Sequence, residues 1–358
     1  FEPWGQSPHS NKVFNPFESL LVKPLPSRNS TPSDAPSSIF SKSFAKSLRT
    51  KLNLDDMDSK APQNFEDVKK SLSELRDLSP SKTVVFKAPF SASGRGMIRV
   101  LDESLSTKDI AWIQSVLNRH GHVIAEPWLD KMIDISTHID IEADGTIKWM
   151  GTTRFWTDLR GQYRGHFIGR LFDDLGPQFL AKWHEDLGWK SQLQSMIMDV
   201  GRHAYLAGYY GPLGVDSLIY MSPEGPKLRP LVEINPRWSM GRIAMALSKH
   251  ISTKQSGIWI HVSQADLKRS NIPNFVQLCS KLSEQHPSEF RSQSSVKFIA
   301  KGVVPINDPE FAEQAVALLI VGRHHQECYD VLLNGGLNDP QLAIQIQAGR
   351  NFHSKETL

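Results

Sequence analysis

Around residue 235 the chain sets a carboxylate, an amide and a guanidinium at alternate positions, in Val232-Glu233-Ile234-Asn235-Pro236-Arg237. In an extended strand residues two apart share a face, so Glu233 and Asn235 point the same way. Pro236 favours extension at Asn235 and carries Arg237 to that side. A carboxylate and an amide oxygen are hard donors suited to Mg²⁺, which completes its shell with phosphate oxygens and water. Asp216, in Gly214-Val215-Asp216, is the natural third protein ligand, because adjacent antiparallel strands can set it opposite Glu233. Arg237 is then free to hold a phosphate or a developing oxyanion. The competing account is a salt-bridge cluster at a strand end.

A second constellation lies at residues 87–96, where Lys87 ends an apolar run and Ser91, Ala92, Ser93, Gly94 and Gly96 follow. Small residues let backbone N–H groups approach an anion closely, and concave arrays of them hold phosphate. Lys87 and Arg95 add charge-assisted contacts. The competing account is an ordinary hairpin turn. The segment is not a Walker A loop, since no Gly-Lys-Ser/Thr opens a helix, and it lacks the spacing of a dinucleotide fingerprint.

These residues need strands to carry them. Residues 83–87 and 97–100 read as a hairpin with a long loop, and residues 122–126 as another strand. Residues 107–119 have apolar positions at helical spacing, with Ser106 or Thr107 as cap. Residues 131–142 alternate, as in a strand with one buried face. Ala143-Asp144-Gly145 turns it into a partner over 146–153. Residues 173–207 read as helical with a break near Gly188. Residues 215–220 and 228–234 form a strand pair about a turn at 222–225, and a helix begins near Gly241. Shorter helices are expected over 39–56 and 64–76. The order predicts an α+β lobe with mainly antiparallel strands.

The rest of the chain is less informative. Residues 1–26 could pack as an irregular arm, and the Ser/Pro-rich stretch 27–38 reads as a linker. With 358 residues and 39% hydrophobic content, two or three lobes can each bury a core. The formal net charge of +3 lacks the dense basic stripe of a nucleic-acid binder, so no nucleic-acid partner is expected. No run of about 18 apolar residues suggests a membrane span. The start, Phe1-Glu2-Pro3-Trp4-Gly5, lacks a signal-peptide pattern. Two cysteines, Cys279 and Cys328, make a reducing, cytoplasmic setting the default. Cys279 reads as a buried small hydrophobe rather than a nucleophile. His324-His325-Gln326-Glu327-Cys328 lacks the second ligand pair that zinc would need.

Together the strand lysine with its Ser/Gly loop, a strand ending in Glu126, the Gly-Val-Asp strand and the Glu-x-Asn-Pro-Arg strand end resemble the ATP-grasp superfamily over residues 82–250. The resemblance implies an α+β fold in which two α+β subdomains sandwich the nucleotide. The lid subdomain would span 81–130 and the large subdomain, with the metal site, 131–255. Residues 1–80 would be a short, atypical region ahead of them, and 256–358 a C-terminal extension. It implies ATP held by Lys87 and the loop of Ser91, Ser93, Gly94, Arg95 and Gly96. Glu126 would accept from the adenine amine, backbone groups near Trp128 and Leu129 would bond the ring, and Asp134, with Asp130 competing, would bond the ribose. Asp216, Glu233 and Asn235 would hold Mg²⁺. Arg237 would stabilise an acyl-phosphate or tetrahedral intermediate, and Arg154 would face the γ-phosphate. The polar stretch 156–165 would form a flexible loop over the acceptor site, or else an ordinary surface loop.

The activity so implied is an ADP-forming ligase that joins a small-molecule carboxylate to an amine of the amino-acid or peptide class, or to a thiol. One alternative is a kinase of the same fold, with Asp158 or His166 as base. The other is a non-catalytic nucleotide-binding protein. Similar enzymes are commonly dimers, and a homodimer is compatible with the sequence.

Overall fold

In a computed structural model, residues 37–54, 59–91, 96–172, 174–185, 188–293 and 296–351 are described. The arm over 1–26 and most of the 27–38 linker lie outside them. In chain order, a 3₁₀ turn (Ser37–Phe40) leads into α1 (Lys42–Lys51) and α2 (Phe65–Arg76). Then come β1 (Val84–Lys87), β2 (Met97–Val100), α3 (Thr107–His120), β3 (Ile124–Pro127), β4 (Lys131–Ile141), β5 (Ile147–Thr157) and β6 (Tyr163–Gly169). These are followed by α4 (Gly176–His184), α5 (Trp189–Leu206), β7 (Gly211–Ser222), β8 (Gly225–Asn235), α6 (Met240–Ser248) and β9 (Ser256–Ser263). The chain closes with α7 (Gln264–Arg269), α8 (Phe275–Gln285), β10 (Glu289–Gln293), β11 (Val296–Pro305), β12 (Ala315–Gly322), α9 (His325–Asn334) and α10 (Pro340–Asn351).

The chain divides into two compact units. The first comprises residues 1–132, 136–151 and 192–239, and the second residues 133–135, 152–191 and 240–358, so β4 and β5 contribute to both.

In the first unit an antiparallel sheet of order β2-β1-β3 packs on α2 and α3. Val68, Leu72 and Leu75 of α2 and Ile113 and Val116 of α3 meet Val84 and Phe86 of β1. Alternation along β1 sends Phe86 to this core and Lys87 to the opposite face. Helix α3 begins where the sequence predicts: the Ser106 hydroxyl accepts from the Asp109 N–H, and the Asp109 carboxylate accepts from the Ser106 N–H. Gly121, at φ 76°, closes it in the left-handed conformation that glycine adopts freely. The same unit holds strands in the order β5-β4-β7-β8.

Strand β4 departs from expectation. Met132 through Ile139 are all buried, so both faces are covered rather than one. On the isoleucine face α5 approaches so closely that a Cβ on Gly201 would lie 2.8 Å from Ile139 and 2.9 Å from Ile147. On the other face Ser136 bonds Asp216 and His138 lies 3.4 Å from Ser239.

In the second unit the strand order is β10-β11-β12-β9-β6-β5. Its larger core joins Trp156, Phe167, Ile258 and Leu318 to Leu278 and Leu282 of α8 and Leu332 of α9. Most of the loop expected over 156–165 is absent. Trp156 is fully buried, β6 starts at Tyr163, and only a tight turn intervenes, in which the Asp158 carboxylate accepts from the N–H groups of Arg160 and Gln162. The glycines that made this stretch read as a loop have another cause at Gly165. A Cβ there would lie 2.3 Å from the Trp156 ring and 2.4 Å from the Trp259 carbonyl, so the glycine admits two close neighbours inside a strand. Among the described residues no helix is long and apolar enough to cross a membrane.

Candidate active site

Strands β7 and β8 pair antiparallel with Gly214 opposite Asn235 and Asp216 opposite Glu233, the arrangement anticipated from the motif. The Asn235 side-chain N–H donates to Asp216 at 2.9 Å, and Arg237 donates to the Asn235 side-chain oxygen at 3.2 Å and to the Trp238 carbonyl at 3.1 Å. Burial, and then the charge of Glu233, push the Asp216 carboxyl up to about 7, with bonds from Ser136 and Asn235 and the charge of Arg237 opposing. Two facing carboxylates, one of them reluctant to ionise, form a site that a cation would stabilise. Among the described residues no group of three or more His, Cys, Asp or Glu side chains could hold a metal by itself. A divalent ion here would therefore have two carboxylates, an amide oxygen and oxygens from its substrate, a set that suits Mg²⁺. Asn235 now offers its oxygen to Arg237 and its N–H to Asp216, so ligation through that oxygen requires the amide to flip.

The cations gather about Glu126, at the end of β3. Its Oε2 accepts from Lys87 at 2.6 Å, and its Oε1 accepts from Arg49 at 2.6 Å and from Arg229 at 3.4 Å. Burial works against its ionisation, but Lys87, Arg49 and Arg229 hold its carboxyl well below the usual range. Burial pulls the Lys87 ammonium below the ordinary lysine value, with Glu126 opposing. Glu126 is 4% exposed. Both its oxygens thus already accept from cations, so the contact expected with the adenine amine would have to join these. The Trp128 backbone is engaged too. Its N–H donates to the Thr83 carbonyl at 2.9 Å, and its carbonyl accepts from the Ser79 hydroxyl at 2.7 Å. Its ring lies under the Arg99 guanidinium at 4.8 Å. Leu129 is buried, and its carbonyl accepts from the Lys131 N–H.

The loop after β1 is anchored at its base. Ala88 donates to the Gly96 carbonyl at 2.8 Å, and Gly96, at φ 69°, sits against Ser91. Ser93, Gly94 and Arg95 lie outside the described residues. A residue that the motifs did not reveal, Lys42 at the start of α1, joins the loop to the carboxylates. Its ammonium donates to the Ser91 carbonyl at 3.2 Å and ion-pairs with Glu233, and its backbone N–H donates to the Pro89 carbonyl. Arg49, also unforeseen, lies two turns further along α1. A hint was present in the spacing, since cations seven residues apart share one face of a helix.

Arg154 is not available to a phosphate. It lies in the second unit with a fully buried side chain, donating to Asp174 at 2.9 Å, to the Leu171 carbonyl at 3.0 Å and to the Gln345 carbonyl at 2.6 Å. Its guanidinium also covers the Phe167 ring. The expected γ-phosphate role is corrected for this reason: a guanidinium enclosed by its own partners presents no face to a substrate. Asp134 is likewise in the second unit and buried, and Asp130 is exposed in the first. His166, one of the two candidate kinase bases, is buried and hydrogen-bonded to the Tyr163 hydroxyl at 2.7 Å. His325 bonds Asp174 at 3.1 Å, and the Cys279 thiol is pushed by burial up to about 11.

The chain is similar to the ADP complex of purK, N5-carboxyaminoimidazole ribonucleotide synthetase, with 12% identity and a TM-score of 0.52, over 85% of this chain and 73% of that one. It is similar to carboxyaminoimidazole ribonucleotide synthase from Aspergillus clavatus complexed with ATP, with 13% identity and a TM-score of 0.52, over 88% and 76%. It is also similar to the biotin carboxylase domain dimer of Hydrogenobacter thermophilus 2-oxoglutarate carboxylase, in complex with MgADP, ADP and bicarbonate. That match has 13% identity and a TM-score of 0.52, over 84% of this chain and 65% of the other. No protein-family model matches the chain, and no curated protein matches it by sequence. At these identities the likeness is one of fold, and the chain has the α+β ATP-grasp fold.

Proposed function

We propose that this protein is an ATP-dependent, ADP-forming ligase that activates a carboxylate as its acyl-phosphate and joins it to an amine. The observation that carries the reading is the juxtaposition of a cluster of largely buried cations with a facing carboxylate pair. Around Glu126 stand Lys87, Arg49 and Arg229, with Lys42 between the Ser91 carbonyl and Glu233. Among the described residues three cations share the single Glu126 carboxylate, and a polyphosphate is an anion that such a cluster attracts. Lys87, Ser91, Gly96 and the intervening Ser93, Gly94 and Arg95 would hold it. Asp216, Glu233 and Asn235 would hold Mg²⁺, which supplies neutralisation of charge on the phosphate oxygens. Arg237 would steady the carboxylate and then the oxyanion formed when the amine attacks. In balance, a carboxylate oxygen takes the γ-phosphoryl group and ADP leaves. The amine nitrogen then bonds the acyl carbon, and phosphate and a proton leave.

The fold of the similar structures, crystallised with ADP or ATP, supports this class, and the nucleotide lobes are proposed to span 81–130 and 131–255. Trp128 and Leu129 keep their proposed places along the nucleotide, with Trp128 acting through its ring. A cytoplasmic setting and a homodimer belong to the same proposal.

The test is incubation with Mg²⁺, ATP, pooled amino acids and added carboxylic acids, with ADP, AMP and phosphate quantified together. The expected result is ADP with equal phosphate, dependent on both an acid and an amine, and abolished in Glu233→Gln. ADP without matching phosphate would instead indicate a kinase. Full activity in Glu233→Gln would remove the metal assignment.

A further inference from the structure

We propose that Arg49 is a positioning residue for the nucleotide phosphates: acting through Glu126, it fixes the Lys87 ammonium, and so makes helix α1 a working part of the site. This rests on the nucleotide reading above.

Arg49 is 2% exposed, and its two terminal nitrogens are held at opposite ends. One donates to Glu126 at 2.6 Å and to the Ser59 hydroxyl at 3.0 Å. The other donates to the carbonyls of Val232, at 3.2 Å, and Leu231, at 3.5 Å, on the strand that ends in Glu233 and Asn235. The guanidinium is therefore a rigid brace between β8 and the Glu126 carboxylate.

That brace divides the labour of the two Glu126 oxygens. Among the described residues, Arg49 and Arg229 donate to Oε1, and Lys87 to Oε2. A carboxylate oxygen held by one nitrogen of a guanidinium whose other nitrogen is tied to β8 is restrained from turning, so the other oxygen keeps its direction, and the lysine it holds is restrained with it. Without Arg49, Oε1 keeps only the longer contact with Arg229 at 3.4 Å, and Glu126 can turn further toward Lys87, which displaces the ammonium and neutralises the charge a phosphate would use. The helix also clips the loop that follows β1, through the Lys42 N–H on Pro89 and the Lys42 ammonium on Ser91. One turn of α1 thus holds the loop and another holds the lysine.

The test is a double-mutant cycle read by calorimetric binding of Mg²⁺-ATP to the full chain. Lys87→Met and Arg49→Met are each expected to weaken binding about tenfold or more, and the double variant to be no weaker than Lys87→Met alone, because Arg49 acts through Lys87. Arg49→Lys is expected to fall between wild type and Arg49→Met. Losses that multiply in the double variant would overturn the proposal and leave Arg49 as a tie between α1 and β8. Should Arg49→Met fail to fold, Arg49→Lys completes the cycle. A wild-type protein that binds no nucleotide would remove the nucleotide reading by itself. The brace is then judged by NMR of ¹³C-methylated lysines. A Lys87 resonance shifted in Arg49→Lys supports the bracing role, and an unmoved one overturns it.

Discussion

Asp216 and Glu233 face each other across a strand pair, with Lys42 paired to Glu233, and two carboxylates so placed ionise together only at a cost that a further cation would relieve. Burial and Glu233 raise the Asp216 carboxyl to about 7, above the value of about 3.9 it has in an unfolded chain. Between those values the native state holds a proton that the unfolded state has lost. Metal-free stability contributed by this group is therefore full below about pH 4 and is lost as pH rises through about 7. Melting curves without divalent metal should show Asp216→Asn gaining on wild type as pH is raised from about 5 to 8. Parallel curves would contradict the raised value. The pairing of Asp216 with Glu233 was legible, because it needs only the period of a strand and the order of two neighbours. The commitment of Glu126 to cations was not. Its partners Arg49 and Arg229 lie 77 and 103 residues away, and no local pattern announces them.

At the scale of elements, most strands and helices followed from periodicity and caps. The α3 capping box and the break between α4 and α5 are examples. Strand β6 was hidden because Gly165, which reads as a loop residue, is there to admit Trp156 and the Trp259 carbonyl. Strand β4 looked half-exposed because polar Ser136 and His138 alternate with isoleucines, yet those polar residues are buried beneath Asp216 and Ser239 rather than facing water. Arg154 was misread for a related reason: a strand arginine gives no sign of which partner it will meet. It meets Asp174, whose carboxyl is held at about 2, with burial opposed by Arg154 and His325. That pair contributes stability above about pH 4 and loses it as pH falls toward 2. Asp174→Asn leaves a buried guanidinium without its counter-ion and should cost about 3–5 kcal/mol in denaturant unfolding. A loss under about 1 kcal/mol would show that the pair is not a structural anchor.

For the whole molecule, the ATP-grasp fold was legible from the order of four short motifs, while no family model or curated sequence matches the chain. What the motifs could not supply was the share of the region ahead of them. Lys42 sits 191 residues before Glu233, and it ties α1 to both the loop and the carboxylates. The central claim is that this cluster binds a metal-complexed nucleotide. The measurement that tests it most directly is calorimetric titration of the wild-type chain with ATP, with and without Mg²⁺, beside Lys87→Met. The account predicts saturable binding with one nucleotide per chain, dependent on Mg²⁺ and weakened about tenfold or more in Lys87→Met. Absence of binding at millimolar ATP and Mg²⁺, or undiminished binding in Lys87→Met, would contradict it.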